Sequence, residues 1–119
     1  MPDIQLPHDH SQQMEKQFGH MPAAEEFQAI SDIFKLLSDS SRSRIFWLLC
    51  HCEECVINIS AMVNMSSPAV SHHLKQLKAS GLIVSRREGK EVYYKAADTE
   101  QAQLLHVTIE MLAKIACPS

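Results

Sequence analysis

Three cysteines fall within six residues in the stretch Cys50-His51-Cys52-Glu53-Glu54-Cys55, with one imidazole between the first two. Thiolates and imidazoles packed this closely suit soft or borderline ions: Zn²⁺, Cd²⁺, Pb²⁺, Hg²⁺ or Cu⁺. They do not suit Mg²⁺ or Ca²⁺, which take oxygen ligands. The spacing is CxCxxC, not the twin CxxC knuckles of a structural zinc module. A disulfide framework spreads its cysteines to close loops, so this cluster reads as reduced thiols. Cys55 stands just before a helix, where a thiolate is favoured, while Glu53 and Glu54 oppose ionisation until a cation arrives. The plainer reading is buried apolar thiols, and it weighs most for Cys50, which follows Leu48-Leu49. Cys52 and Cys55 are expected in a polar turn.

Two further donor sets lie apart in sequence. His8 and His10 sit in a polar, proline-containing segment with little reason to fold alone. Such an arm could close over the cysteines of its own or a second subunit, or its histidines could be plain surface residues. His106 and Glu110 are four residues apart on an expected helix, so they share a face, and Asp98 or Glu100 could complete a metal site with them. Ordinary helix-surface polarity is the alternative. Cys117, close to the C-terminus, is not expected to be a primary ligand.

A different chemistry is suggested by Ser66-Ser67-Pro68-Ala69-Val70-Ser71-His72-His73-Leu74 and the KQLKASG that follows. On a helix, Ser71, Lys75 and Lys78 fall at i, i+4 and i+7, with His72 beside them. Val70, Leu74 and Leu77 fall on the opposite face. A helix of this kind can lie in a DNA major groove, its serines and histidine near base edges and its lysines on phosphates. His72 and His73 point about 100° apart, too far to converge on one ion. One is expected to face DNA and the other to support packing. Arg86, Arg87 and Lys90 fall around the tip of a β-hairpin, where they could reach the backbone or a minor groove. A solvated hairpin on a helical bundle is the bland alternative.

Charge supports the DNA reading locally but not globally. The whole chain carries −3. Residues 71–95 hold six basic and two acidic side chains, a local +4 that leaves −7 elsewhere. A basic patch on an acidic body is what a phosphate-touching module needs. At 119 residues and 45 % apolar content the chain can form one domain with a core that a partner subunit could complete. No apolar run approaches the 18 residues of a membrane helix, and the N-terminus lacks the pattern of a signal peptide, so a cytoplasmic protein without membrane contact is expected. No nucleophile–base–orienter set or phosphate loop appears, which argues against an enzyme.

The elements that must position these residues follow from spacing and caps. Residues 1–22 read as a flexible arm, and residues 23–117 as one folded domain. Phe27, Ile30, Ile33, Phe34 and Leu37 predict a helix over 23–37. Ser38-Asp39-Ser40 is a turn and cap before a second helix over 41–50. Asn58 is expected to cap a short third helix ending at Val63, with Asn64 in a left-handed exit. Ser66 or Ser67 caps the fourth helix, Pro68 sits in its first turn, and Gly81 ends it. Strands follow around Glu88-Gly89-Lys90. A last helix from Asp98 or Thr99 to Ile115 carries Leu104, Leu105, Met111, Leu112 and Ile115, a stripe broad enough for a subunit interface. The expected fold is mainly α with a β-hairpin wing, a winged helix-turn-helix in the order α-α-α-α-β-β-α.

The stretch SPAVSHHLKQLKASGLIVSRREGKEVYYKA resembles the recognition helix and wing of the ArsR/SmtB family of metal-responsive transcriptional repressors. LLSDSSRSRIFWLL resembles the family's second-helix region, and Cys55-Val56-Ile57-Asn58-Ile59 its Cys-Val-x-Asp-Leu segment. The likeness covers roughly residues 25–115. It implies a homodimer joined through its first and last helices, bound to an imperfect inverted repeat in double-stranded operator DNA and released when an effector binds. Family members with a soft-metal site at the third helix use cysteines near that helix with ligands from the N-terminal arm. Cys55 matches the first cysteine of that segment. Ile57 stands where the second would be, and Asn58 replaces the aspartate, so Cys50 or Cys52 would have to supply the missing thiolate. The arm histidines point to zinc or cadmium. In the family's other common site, on the last helix and paired across the dimer, Asp98 matches the first ligand. Glu100 stands where a histidine is usual, and Met111 and Lys114 occupy the distal positions. A repressor of the same fold that senses thiol oxidation, and a metal-binding protein that never touches DNA, are the rival readings.

Overall fold

The computed structural model describes residues 7–8 and 19–117. The chain divides between Ile33 and Phe34 into two units. The helices are α1 (Ala24–Leu37), α2 (Ser40–Leu49), α3 (Val56–Val63), α4 (Ser67–Ala79) and α5 (Glu100–Ala116). The strands are β1 (Glu54–Cys55), β2 (Ile83–Glu88) and β3 (Glu91–Ala96), antiparallel in the order β1-β3-β2.

In the first unit, the described residues are Pro7, His8 and the run from Gly19. The first turn of α1 is closed by Ala23, whose N–H donates to Glu26 Oε1 at 3.2 Å, and Gln28 Nε2 donates to Asp32 Oδ1 one turn on. Phe27 and Ile30 are exposed.

In the second unit, short-range chemistry sets the helix ends. Asp39 adopts an extended backbone and its Oδ1 accepts from Arg42 N at 3.0 Å, opening α2. Ser66 does the same for α4 through Ala69 N, with Pro68 in the first turn. Thr99 opens α5 through Ala102 N. Asn64 leaves α3 in the left-handed region, at φ 55° and ψ 52°. The exit from α4 is a Schellman turn. Gly81, at φ 81°, donates to Lys78 O, and Leu82 N reaches back to Leu77 O at 3.1 Å. Leu77 and Leu82, which flank the turn, are both fully buried.

The core is built from those spacings. Ile45, Phe46 and Leu49 of α2 meet Ile59 and Val63 of α3, Val70, Leu74 and Leu77 of α4, and Leu82 and Ile83 at the start of the hairpin. Arg44 Nη2 donates to Val63 O at 2.6 Å, supplying a partner to a carbonyl that the end of α3 leaves open. The hairpin turns on Gly89-Lys90, with Glu88 paired to Glu91 and Gly89 at φ 64°. Glycine in the first of two turn positions is what a type II′ hairpin asks for.

Two expectations need correction. The stretch after α2 is not wholly a polar turn: Glu54 and Cys55 pair with Tyr94 and Tyr93 as a third strand, and Cys55 is buried. Nor does Asn58 cap α3. The helix already begins at Val56, and Asn58 Nδ2 donates backward to Glu54 Oε2 at 2.8 Å. Pairing β1 to β3 fixes the backbone up to Cys55, so the helix can start earlier than its sequence signal suggests. The full order is therefore α-α-β-α-α-β-β-α. Among the described residues no helix is long and apolar enough to cross a membrane.

Candidate nucleic-acid interface and metal centre

Burying Val70, Leu74 and Leu77 turns the other side of α4 outward. Ser67, Ser71, His72, Lys75 and Lys78 are exposed there, with Ser66 at the cap. The Ser67 hydroxyl lies 3.2 Å from that of Ser60. The Lys78 ammonium donates to Ser85 Oγ at 2.6 Å, tying the helix to β2. His73 points inward. Its side chain is only 12 % exposed, its Nε2 lies 3.9 Å from Asp39 Oδ1, and its buried Nδ1 has no hydrogen-bond partner among the described residues. Burial pushes its pKa below the ordinary 6.5, with Asp39 pulling the other way and the Arg42 and His72 charges adding to the lowering.

The wing is only partly open. Arg87 Nε donates to Gly89 O at 3.3 Å and Lys90 is exposed at the turn. Arg86 is held. Its Nε and Nη2 donate to Glu53 Oε1 at 3.0 and 2.8 Å, its Nη1 donates to Glu88 Oε2 at 2.7 Å, and its guanidinium lies 4.8 Å from the Tyr93 ring centre. The hydrogen bonds to Glu53 and then Glu88 raise the Arg86 pKa, and Arg86 in turn lowers that of Glu53.

The thiols are neighbours in sequence but occupy different environments. Cys50 caps the end of α2 half-buried, and burial, followed by the nearby Glu110 charge, pushes its pKa up to about 11. Cys52 Sγ donates to Leu48 O at 3.4 Å, and its pKa is also raised, first by burial and then by Glu54. Cys55 is buried in β1. An open cleft of about 330 Å³ runs past Cys50, Cys52, Glu53, Lys95, Asp98 and His106. Asp98 is exposed and accepts from Gln103 Nε2 at 2.9 Å, and Glu100 is exposed in the first turn of α5. His8 is exposed and belongs to the first unit, and His10 lies outside the described residues.

Among the described residues, one group of potential ligand atoms converges, and it is none of the sets expected from sequence. His106 Nε2 lies 3.0 Å from His51 Nε2 and 3.1 Å from Glu110 Oε1, and His51 Nε2 lies 3.4 Å from that same oxygen. Trp47 Nε1 donates to Glu110 Oε1 at 3.1 Å. The Trp47 ring also lies 4.2 Å from the His51 ring, tilted at 42°, and His51 meets His106 edge-on at 4.8 Å. The Trp47 hydrogen bond is the main cause of a lowered Glu110 pKa, and the imidazoles add to it. The i, i+4 pair His106 and Glu110 was legible from helical spacing. Its partner His51 lies 55 residues away, at the end of α2, and only the packing of α5 beside that end brings it in.

On this fold and these sites, comparison with known proteins is direct. Residues 39–85 match the model described as "Bacterial regulatory protein, arsR family". The chain is 33 % identical over 104 residues to a transcriptional repressor SmtB homolog of Synechocystis sp., covering 87 % of this chain and 79 % of that protein. It is 42 % identical over 67 residues to the cadmium resistance transcriptional regulatory protein CadC of Listeria innocua, but spans only 56 % of that protein's length. A solved homodimeric winged helix-turn-helix DNA-binding domain from Mycobacterium bovis, a possible ArsR-family regulator, superposes with a TM-score of 0.69 at 27 % identity. That match covers 82 % of this chain and 94 % of the solved one. The chain belongs to the arsR family of bacterial regulatory proteins, and its fold is the winged helix-turn-helix.

Proposed function

We propose that this protein is a metal-responsive transcriptional repressor, a binding module rather than an enzyme, acting in the cytoplasm on double-stranded operator DNA. The observation that carries the reading is α4: a rigid helix, anchored by three buried apolar residues, whose outer face offers Ser71, His72, Lys75 and Lys78. That face fits a major groove, with Arg87 and Lys90 of the wing beside it on the backbone. A homodimer is supported by α5. Leu104, Val107, Met111, Leu112 and Ile115 are all more than half exposed on it. Two copies would present two α4 helices to two half-sites of an inverted repeat.

The effector is a soft or borderline metal ion, of which zinc and cadmium fit best. Support comes from the donor-rich end of α2 and from relatives that include an SmtB homolog and a cadmium-resistance regulator. Metal binding weakens DNA binding if the ion prefers the dimer conformation of low operator affinity. A coupling of roughly 1–3 kcal/mol would change operator affinity about 5–150-fold. Sensing by thiol oxidation has less support at Cys50, because a thiol pushed up to about 11 is protonated at neutral pH and a poor nucleophile.

The test of the DNA reading is binding of the reduced full chain to its own promoter duplex and to a scrambled duplex across a salt series. Preference for the promoter, with affinity falling steeply as salt rises, is expected. Equal affinity for both duplexes would contradict operator recognition.

A further inference from the structure

We propose that His51, His106 and Glu110 form a metal site within one chain, binding a borderline divalent cation of the zinc class. Three observations carry it. First, the donor set is right: two imidazole nitrogens and a carboxylate oxygen are ordinary zinc ligands. Second, the spacing is right. Ligand bonds of about 2.0–2.1 Å in a tetrahedron place ligand atoms roughly 3.3–3.4 Å apart. The three separations here are 3.0, 3.1 and 3.4 Å, so an ion enters with shifts of a few tenths of an ångström. Third, a neighbour supports the ligands. Trp47 donates to the same carboxylate oxygen and its ring lies tilted against that of His51, touching two of the three ligands.

The hydrogen-bonded arrangement without metal is an awkward one. Two Nε2 atoms face each other and one carboxylate oxygen within 3.4 Å, while Trp47 already donates to that oxygen, so three potential ligand atoms crowd one point. A cation held among them would accept a lone pair from each. The site is also accessible: His51 and Glu110 are each 43 % exposed and His106 27 %. The fourth position is left for water. Because all three ligands come from one chain, loading does not require a dimer.

The ion would clamp the end of α2 to the middle of α5, the helix that carries the exposed apolar face. Glu53, two residues beyond His51, holds Arg86 of β2. The clamp therefore sits beside both the apolar helix and the strand leading to the wing. The inference deepens the metal-responsive reading and takes the purpose of the site from it, but occupancy is measured without DNA.

The experiment titrates reduced, metal-free full chain with Co²⁺ and with Zn²⁺ against a chromophoric chelator. The same titration is run on His51→Gln, Glu110→Gln and the double variant Cys52→Ser/Cys55→Ser. The site predicts one ion per chain, cobalt d–d bands of a four-coordinate centre, and affinity unchanged in the double cysteine variant. Loss of a direct ligand should cost more than the roughly 10–100-fold typical of losing an outer-shell partner. Circular dichroism checks that His51→Gln and Glu110→Gln remain folded. A thiolate-to-cobalt band that disappears with the cysteines, while the His51 and Glu110 variants bind as the original chain does, would overturn the site. Operator binding separates the two claims. Zinc bound through these residues without any change in operator affinity leaves the site standing and removes its sensing role. Zinc release of operator DNA that is undiminished in both His51→Gln and Glu110→Gln, with both variants also binding zinc as the original chain does, overturns the site and leaves metal sensing standing.

Discussion

Helices α4 and α5 are both amphipathic, yet they complete themselves differently. In α4 every large apolar residue, Val70, Leu74 and Leu77, is buried within the chain, and the long exposed side chains are polar and basic. In α5 only Ala102 is fully buried; Leu105 and Ile109 pack partly on the core, and five large apolar residues stay exposed. The first helix is held by its own chain and offers chemistry to a ligand. The second is held by its own chain along one edge only and offers area to another protein. A contiguous apolar face of this kind on a small domain calls for a partner.

Leu74→Ala, at the centre of the α4 anchor, should cost about 2–5 kcal/mol of stability, read as a lower denaturant midpoint with an unchanged slope. A loss below about 1 kcal/mol would mean that α4 is not anchored as described. Leu104→Glu, in the exposed stripe of α5, should leave the fold intact but weaken self-association by about 2 kcal/mol, roughly thirtyfold, in analytical ultracentrifugation. An unchanged dimer would remove the reason given for the apolar face. Lys75→Ala, on the outer face of α4, should leave stability within about 0.5 kcal/mol of the original. If Lys75 meets a phosphate, the same change should reduce the log–log salt dependence of operator binding by about 1.

The smallest effect concerns the one histidine that α4 turns inward. Burial holds His73 below its ordinary 6.5, so the unfolded chain takes up this proton first as pH falls. Stability is therefore level with respect to this group above about pH 6.5, declines as pH drops through 6.5 toward the folded value, and levels off below it. His73→Gln should flatten that part of the pH–stability curve. Asp39, whose pKa is lowered chiefly by the Arg42 N–H, adds its own loss only at lower pH, as it is protonated below its ordinary 3.8. A decline below pH 6.5 that persists unchanged in His73→Gln would assign it elsewhere.

Most of the fold was legible because local chemistry fixes it. Asp39, Asn64, Ser66, Gly81 and Thr99 each do at a helix end what their side chain or backbone freedom suggests. The apolar spacings of α2 and α4 translate directly into core. What escaped depends on contacts between distant segments. The two-residue strand β1 exists only because β3 pairs with it, and that pairing moves the start of α3 and buries Cys55. Six residues of sequence held three thiols, but a helix end, a loop and a strand point them to different surroundings. The converging donors instead come from His51 and from α5, and no local pattern links residues 55 apart. Arg86 is the same lesson in reverse: a basic residue in the wing whose guanidinium is already engaged by Glu53 and Glu88.

Control of operator affinity by a metal ion can be read in one titration. Reduced, metal-free chain is bound to its own promoter duplex, followed by fluorescence anisotropy, and titrated with Zn²⁺ and then, separately, Cd²⁺. The account predicts that the apparent Kd rises about 5–150-fold with saturating metal and returns when a chelator is added. An operator affinity that stays the same under saturating zinc and saturating cadmium would contradict it.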